Sequence, residues 1–429
     1  MSAGAVSSPM ASGKSVWRDP AAWAKTADVI AVLVAASLPW STTLVSIFMA
    51  VWVVTLLPTL QLKPFLRSLS RPECIFPIAL FLLAVVGTLW ATDIPWAARM
   101  RGVNPTAKLL AIPLLIFHFE RSSRGIGVFA GFLVSCIFLM VVSWISLMVP
   151  TLTPTSSLQP GVPVKNYIDQ SQSFALCAVV LAWQVLELFR ARRFALAITF
   201  VAVSSGFIAN MMFVVVARTA LIYVPVMLLI FGFLHLRRRD FVLTVLTGVI
   251  VVALVWFASP NLQSRTESIF LEYSKYKTSS EITSVGMRLE FWRKSFIFFE
   301  DAPLAGHGTG STQTLFDRAA IGQTGLAEQT VSNPHNQTLN VAIQWGLMGC
   351  AVLYAMWFVH FLMFRGNGFA AWVGLLAVVQ NIISSLFNSH LFDFVPGWIY
   401  VMSVGVAGGM VLQVNNKSGQ SHVPEAGQT

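Results

Sequence analysis

FVLTVLTGVIVVALVWFA, residues 241–258, is eighteen residues long and carries no charge. As an α-helix it rises about 27 Å, close to the roughly 30 Å of a bilayer's hydrocarbon layer. Its Val, Ile, Leu and Thr follow no strict alternation, so it does not read as a strand of an outer-membrane barrel. A helix satisfies its own backbone hydrogen bonds in lipid, where no water replaces them. On one side stands the basic triplet RRR at 237–239, and on the other ASPNLQSRTESIF (258–270) opens a long polar loop.

The rest of the chain repeats this pattern. Of its 429 residues 56% are hydrophobic and 11% charged, with a mean hydropathy of +0.71. Soluble domains carry about 25% charged residues, so this chain has too little polar surface to face water. About twelve spans are expected, near 22–39, 42–61, 74–91, 103–119, 125–149, 171–189, 194–215, 217–235, 241–258, 337–363, 369–389 and 394–414. The fold class is therefore an all-α integral membrane protein. The net charge of +10 resides in loops between spans. It points to topology and an anionic ligand in a membrane, with no nucleic acid as partner. Cys74, Cys136, Cys177 and Cys350 lie in or beside spans without a CxxC, which argues against a disulfide framework or a zinc site. The first twenty residues are small and polar, with no cleavable signal peptide visible.

Lys and Arg set the orientation. Lys14, Arg18, Lys25; Lys63, Arg67, Arg71; Arg121, Arg124; RARR (190–193); RRR; Arg365; and Lys417 fall on alternate loops. The positive-inside rule makes that side cytoplasmic and gives both termini to it. The division expected is 1–258 as nine spans, 259–336 as a long periplasmic loop, 337–414 as three more spans and 415–429 as a cytoplasmic tail. MRLEFWRKSFIFF (287–299) mixes aromatic and basic residues as a helix at a membrane surface does.

Several cations break the rule. Arg218 stands in VVVARTALIYV (214–224), between two apolar segments with almost no loop. A charge facing lipid there costs about 2.5–3.5 kcal/mol, so it either lines a cavity and pairs with an anion or snorkels to the interface. Arg288 and Trp292 share a helix face at i, i+4, suited to an anion or to lipid headgroups. In SNPHNQTLNVAIQWGLMG (332–349), Asn333 reads as N-cap and Pro334, His335 and Asn336 as the first helical turn. The field of a helix N-terminus attracts phosphate and keeps His335 neutral, able to take a proton. The plainer reading is an interfacial histidine beside a polar seam formed by Asn336, Asn340 and Gln344. His307 in GHGTG (306–310), Lys108 and Arg293 are further candidates for ligand contact, and His390 and Asp393 in NSHLFDF (388–394) stand at an outer span junction. No DxD, GxSxG, HExxH or Walker sequence occurs.

Taken in order, VVVARTAL, GMRLEFWRKS, PLAGHGTGS and NPHNQTLNVAIQWGLMG resemble the signatures of the O-antigen ligase/polymerase family of bacterial envelope proteins, and most closely its ligase members. The plan of about twelve spans with one long periplasmic loop before the last three is similar too, a GT-C-like architecture with short interfacial helices in the loop. The resemblance implies transfer of a glycan from undecaprenyl pyrophosphate at the periplasmic face of the bacterial inner membrane, metal-independent and inverting, with no cofactor. For a ligase the acceptor is lipid A–core, and membrane lipids surround both substrates. By matched motif it puts the catalytic roles on Arg218, Arg288 and His335, with Arg265 in LQSRTES and Asn336 among the pyrophosphate or substrate contacts. An O-antigen polymerase or a protein O-oligosaccharyltransferase would use the same donor. A small-anion transporter would put its charges near mid-membrane, often with repeats and broken spans.

Overall fold

The computed structural model of the protein describes residues 19–149, 151, 159–214, 217–278 and 281–420. Among them are seventeen α-helices and no strand. The first half holds α1 (Pro20–Ser37), α2 (Thr42–Leu56), α3 (Leu62–Leu69), α4 (Pro72–Val86), α5 (Trp96–Ala107), α6 (Ala111–Phe119), α7 (Gly125–Met148), α8 (Tyr167–Arg190) and α9 (Phe194–Phe213). The second half holds α10 (Ala220–His235), α11 (Arg238–Ala258), α12 (Pro260–Thr278), α13 (Ser284–Asp301), α14 (Ser311–Ala320), α15 (Gln337–Met363), α16 (Phe369–Ser384) and α17 (Phe394–Gln420). Among the described residues, nine helical segments are long and apolar enough to cross a membrane. The pair α3 and α4, bent by 79°, makes a tenth if it counts as one span. The apolar helices α10 and α16 are shorter, at sixteen residues each. Every apolar segment expected from the sequence falls on one of these helices or runs of helices.

Local chemistry sets the breaks. Asp19 caps α1 through Ala21 N, with Pro20 at the first helical position. Pro39-Trp40-Ser41 does divide the first two spans, because Ser41 caps α2 and Trp40 Nε1 donates to Ser135 Oγ on α7. No residue of α11 is buried, and Val242, Leu246, Val249, Ile250, Leu254 and Phe257 all lie exposed. A helix apolar on every face and buried on none, packed chiefly against its chain neighbours α10 and α12, suits lipid. In contrast, α17 sits inside the bundle against α6 and α16, with Tyr400, Val401 and Val404 fully buried.

The two ends of the bundle differ. At the basic end Arg71 grips Glu120 with two hydrogen bonds of 2.9 and 3.0 Å, and Asn416 joins the same carboxylate. His118 pairs with Asp28 at 2.8 Å there, away from the other candidates. The loop helices α12, α13 and α14 gather at the opposite end.

There α15 is not one helix. Gly346 breaks it with φ +59° and ψ −150°. The turn after α13 fills the break: Leu347 N donates to Pro303 O and Met348 N to Leu304 O, while His307 N and Gly308 N donate to Ile343 O and Gln344 O. Thr309 and Trp345 complete the joint, with Trp345 Nε1 donating to Thr309 Oγ1 and Thr309 Oγ1 to Ala84 O of α4. The backbone groups freed by the kink are thus satisfied by loop backbone, the condition on which a broken helix persists in a membrane protein.

Candidate active site

Four stretches meet at this end: the turn between α9 and α10, helices α12 and α13, the segment leading into α15, and residues 385–393 leading into α17. Arg218 comes from the first. Its Nη2 donates to Glu272 Oε1 at 2.6 Å and to Ser268 Oγ at 2.8 Å, both on α12. The other Glu272 oxygen accepts from Val285 N, in the first turn of α13. Glu272 therefore ties Arg218 to the helix that carries Arg288. Burial opposes ionisation of Glu272, but the bonds from Arg218 and Val285 and the charge of Arg288 outweigh it and hold its carboxyl below the usual range.

Arg288 lies one turn further along α13, half-buried, and burial lowers its affinity for a proton. Among the described residues it makes no side-chain hydrogen bond and no ion pair. The other half-buried cations of this end are all engaged: Arg99, Lys108 and Lys165 on carbonyls, Arg218 on Glu272, Lys275 on Glu281. The next turn of α13 meets the segment leading into α15. Trp292 Nε1 donates to Pro334 O, and the Phe291 ring lies 6.3 Å from the His335 ring at 30°.

His335 is seated differently from the expectation. It is not in the first turn of α15, and Asn333 is not the N-cap. Asn336 is, with its Oδ1 accepting from Leu339 N, and the helix begins at Gln337. His335 precedes the cap with φ +56°, in the left-handed region. An Asx turn accounts for this: Asn333 Oδ1 accepts from His335 N at 3.0 Å. The expectation of a neutral imidazole holds in direction, with a different cause. Burial is the main influence lowering its pKa, Arg288 adds to it, and a hydrogen bond to the Asn388 oxygen opposes both. Nδ1 faces Asn388 Oδ1 at 3.0 Å, and Asn388 Nδ2 donates to Asp393 Oδ2 at 2.7 Å.

The remaining candidates divide. Arg265 lies on α12, but its side chain falls outside the described residues. Asn336 uses its amide on the cap and on Leu386 O. His307 Nε2 donates to Phe298 O, which makes it a staple of the turn that fills the α15 break. Arg293 forms two bonds with Glu290 on its own helix and is half exposed. Lys108 Nζ donates to the carbonyls of Phe392 and Asp393. It lines a groove of about 510 Å³ with Asn104, Leu114, Phe394 and Trp398. Asn340 and Gln344 form the polar seam, bonding Ser389, Thr312 and Gly310 N. Sequence reasoning missed Glu272 and Asn388. The one signal for Glu272 was its place four residues after Ser268 on an arginine-bearing loop, which does not point to Arg218. Asn388 carried no signal beyond its place before His390.

These features define a class: a helical membrane protein with a cationic site, built around an arginine in no ion pair among the described residues and a histidine, where loop helices meet the bundle. Residues 203–354, from within α9 to within α15, match the O-antigen ligase family model (Wzy_C). Arg218, Arg288, His307 and His335 all fall within the matched stretch. No curated protein matches the chain. The match points to a ligase- or polymerase-type glycosyltransferase function in O-antigen processing, on a chain with many apolar helices.

Proposed function

We propose that the protein is a lipopolysaccharide O-antigen ligase, transferring O-antigen from undecaprenyl pyrophosphate to lipid A–core at the periplasmic face of the inner membrane. One observation carries the reading: Arg288, half-buried and in no side-chain hydrogen bond or ion pair among the described residues, stands beside a neutral histidine. A guanidinium in that state is matched by a diphosphate, which it binds in two places while remaining protonated.

The acceptor hydroxyl oxygen attacks the anomeric carbon of the first sugar. As that bond forms, the bond from the anomeric carbon to the pyrophosphate oxygen breaks, and its electron pair leaves with the phosphate. His335 takes the hydroxyl proton. Arg288 faces the developing negative charge, and Arg218, held by Glu272, adds a second cation. One displacement inverts the anomeric centre. Arginines stabilise this leaving group without a metal ion, so the reaction is metal-independent in this reading. The groove beside Lys108 opens among apolar side chains of α2, α6 and α17, where the chain of a membrane lipid fits.

Purified protein in nanodiscs, given undecaprenyl-pyrophosphate-linked glycan and lipid A–core, tests this. Glycan appearing on lipid A–core supports the ligase. Glycan lengthened on the donor lipid makes the protein a polymerase, and glycan on protein hydroxyls makes it a protein O-oligosaccharyltransferase.

A further inference from the structure

The hydrogen-bond network around His335 decides which of its nitrogens is free. Asn333 Oδ1 accepts from His335 N and from Ser389 Oγ at 2.7 Å, so the Asn333 amide has only one orientation and its Nδ2 points at Asn388 at 3.2 Å. That contact requires the oxygen of Asn388. On the other side Asn388 meets the Asp393 carboxyl at 2.7 Å, which requires its NH₂. A flipped Asn388 would face NH₂ with NH₂ and carbonyl with carboxylate. Its oxygen is therefore the one at His335 Nδ1, 3.0 Å away, and a nitrogen facing an acceptor carries the hydrogen. Among the described residues His335 Nε2 has no hydrogen-bond partner, and it is not one of the fully buried polar atoms.

We propose that Asn388, anchored by Asp393 and Asn333, is a positioning residue that locks His335 as its Nδ1–H tautomer and leaves Nε2 to receive the acceptor proton. When Nε2 takes that proton, Nδ1–H stays on Asn388 Oδ1, and the Asp393 carboxylate supports the new positive charge through the Asn388 dipole. No proton passes through the amide. The charged and titratable groups facing this chain are Arg288 from α13, His390 from the loop, and Lys108 and Asp169 around Asp393. Of these, His390 is itself fixed neutral by burial, with its Nδ1 on Gln172 Nε2 at 3.0 Å.

The inference rests on the transfer reading for its use, but its first test does not. Full-length protein with ¹⁵N-labelled histidine rings, in nanodiscs, reports the tautomer directly once His335 is assigned by comparison with His335→Gln. The expected spectrum is a single Nδ1–H form for His335 at neutral pH. Asn388→Leu is expected to mix the two tautomers, and Asn388→Asp to keep Nδ1–H because an acceptor oxygen remains. In the transfer assay, Asn388→Leu lowers kcat by about tenfold to a hundredfold, the usual effect of losing an orienting partner, with KM for the donor lipid unchanged. Asn388→Asp restores turnover and moves the acidic limb of the pH profile upward, since a carboxylate favours imidazolium. An unchanged His335 spectrum in Asn388→Leu overturns the proposal even if transfer is observed. A wild-type protein that shows the expected spectrum yet transfers nothing refutes the function and leaves the tautomer assignment standing.

Discussion

At the scale of single residues, the account turns on the different situations of two cations and one histidine. Arg218 is paired with Glu272, whereas Arg288 makes no ion pair among the described residues. Arg288→Lys keeps the charge and loses the planar fork, so transfer should fall by at least about tenfold, read as kcat/KM with the lipid-linked donor; an equal rate for the two would remove two-point phosphate binding. His335→Ala should cost about 10²–10⁴-fold in kcat, the usual worth of a general base. The pH dependence follows from the shifts. A lowered pKa keeps His335 neutral as pH falls, so its limb should lie below the ordinary histidine value of about 6.5. Asp393 is pushed up to about 7, chiefly by burial, so it ionises as pH rises through neutrality and tightens its hold on Asn388. Transfer should therefore rise in two steps, and Asp393→Asn should remove the upper one. His335 and Arg218 stood out as candidates because they sit as polar exceptions beside apolar runs, and Arg288 through the motif it shares with the family. Their neighbours Glu272 and Asn388 did not, because each acts on a residue fifty or more positions away.

At the scale of elements, the break in α15 gives the site its frame. Apolar periodicity showed a single helix over 337–363, since both halves are apolar and the interruption is one glycine. What the periodicity could not show is that GHGTG belongs to that break. The glycines permit it: a Cβ on Gly346 would lie 2.5 Å from the Leu304 carbonyl, and one on Gly306 2.4 Å from Gln344. Gly346→Ala should therefore cost about 1–3 kcal/mol from backbone strain alone, before the clash is counted. Its melting temperature in detergent and its transfer rate should both drop. Gly366→Ala, where a side chain meets nothing within 4 Å, should match the parent in both. The start of α15 was misread for a similar reason. Asn333 and Asn336 are both good caps, and the choice between them was made by Ser389 and Asn388, side chains from a distant loop.

At the scale of the whole molecule, hydropathy was enough to show a helical membrane protein, because a run such as 241–258 has no other stable environment. The basic loops do gather at one end of the bundle, where Arg71, Glu120 and Asn416 touch, and the loop helices gather at the other. If the basic end is cytoplasmic, a cysteine introduced at Gln323 should react with a membrane-impermeant thiol reagent in intact cells, and one at Arg192 only after the inner membrane is opened; the reverse pattern would turn the site inward. Cys74, Cys136 and Cys177 are buried, so Cys350→Ala supplies a quiet background. In the proposed function, a site of Arg288 and His335 at the periplasmic end moves a glycan from a lipid pyrophosphate to lipid A–core. The measurement that reaches it most directly is transfer by the purified protein in nanodiscs, with chelator present, comparing the parent with His335→Ala and Arg288→Lys. The account predicts glycan-bearing lipid A–core from the parent, unaffected by chelator, and a loss of at least about tenfold in each variant. Transfer that survives in His335→Ala at the parent's rate, or that disappears with chelator, would contradict it.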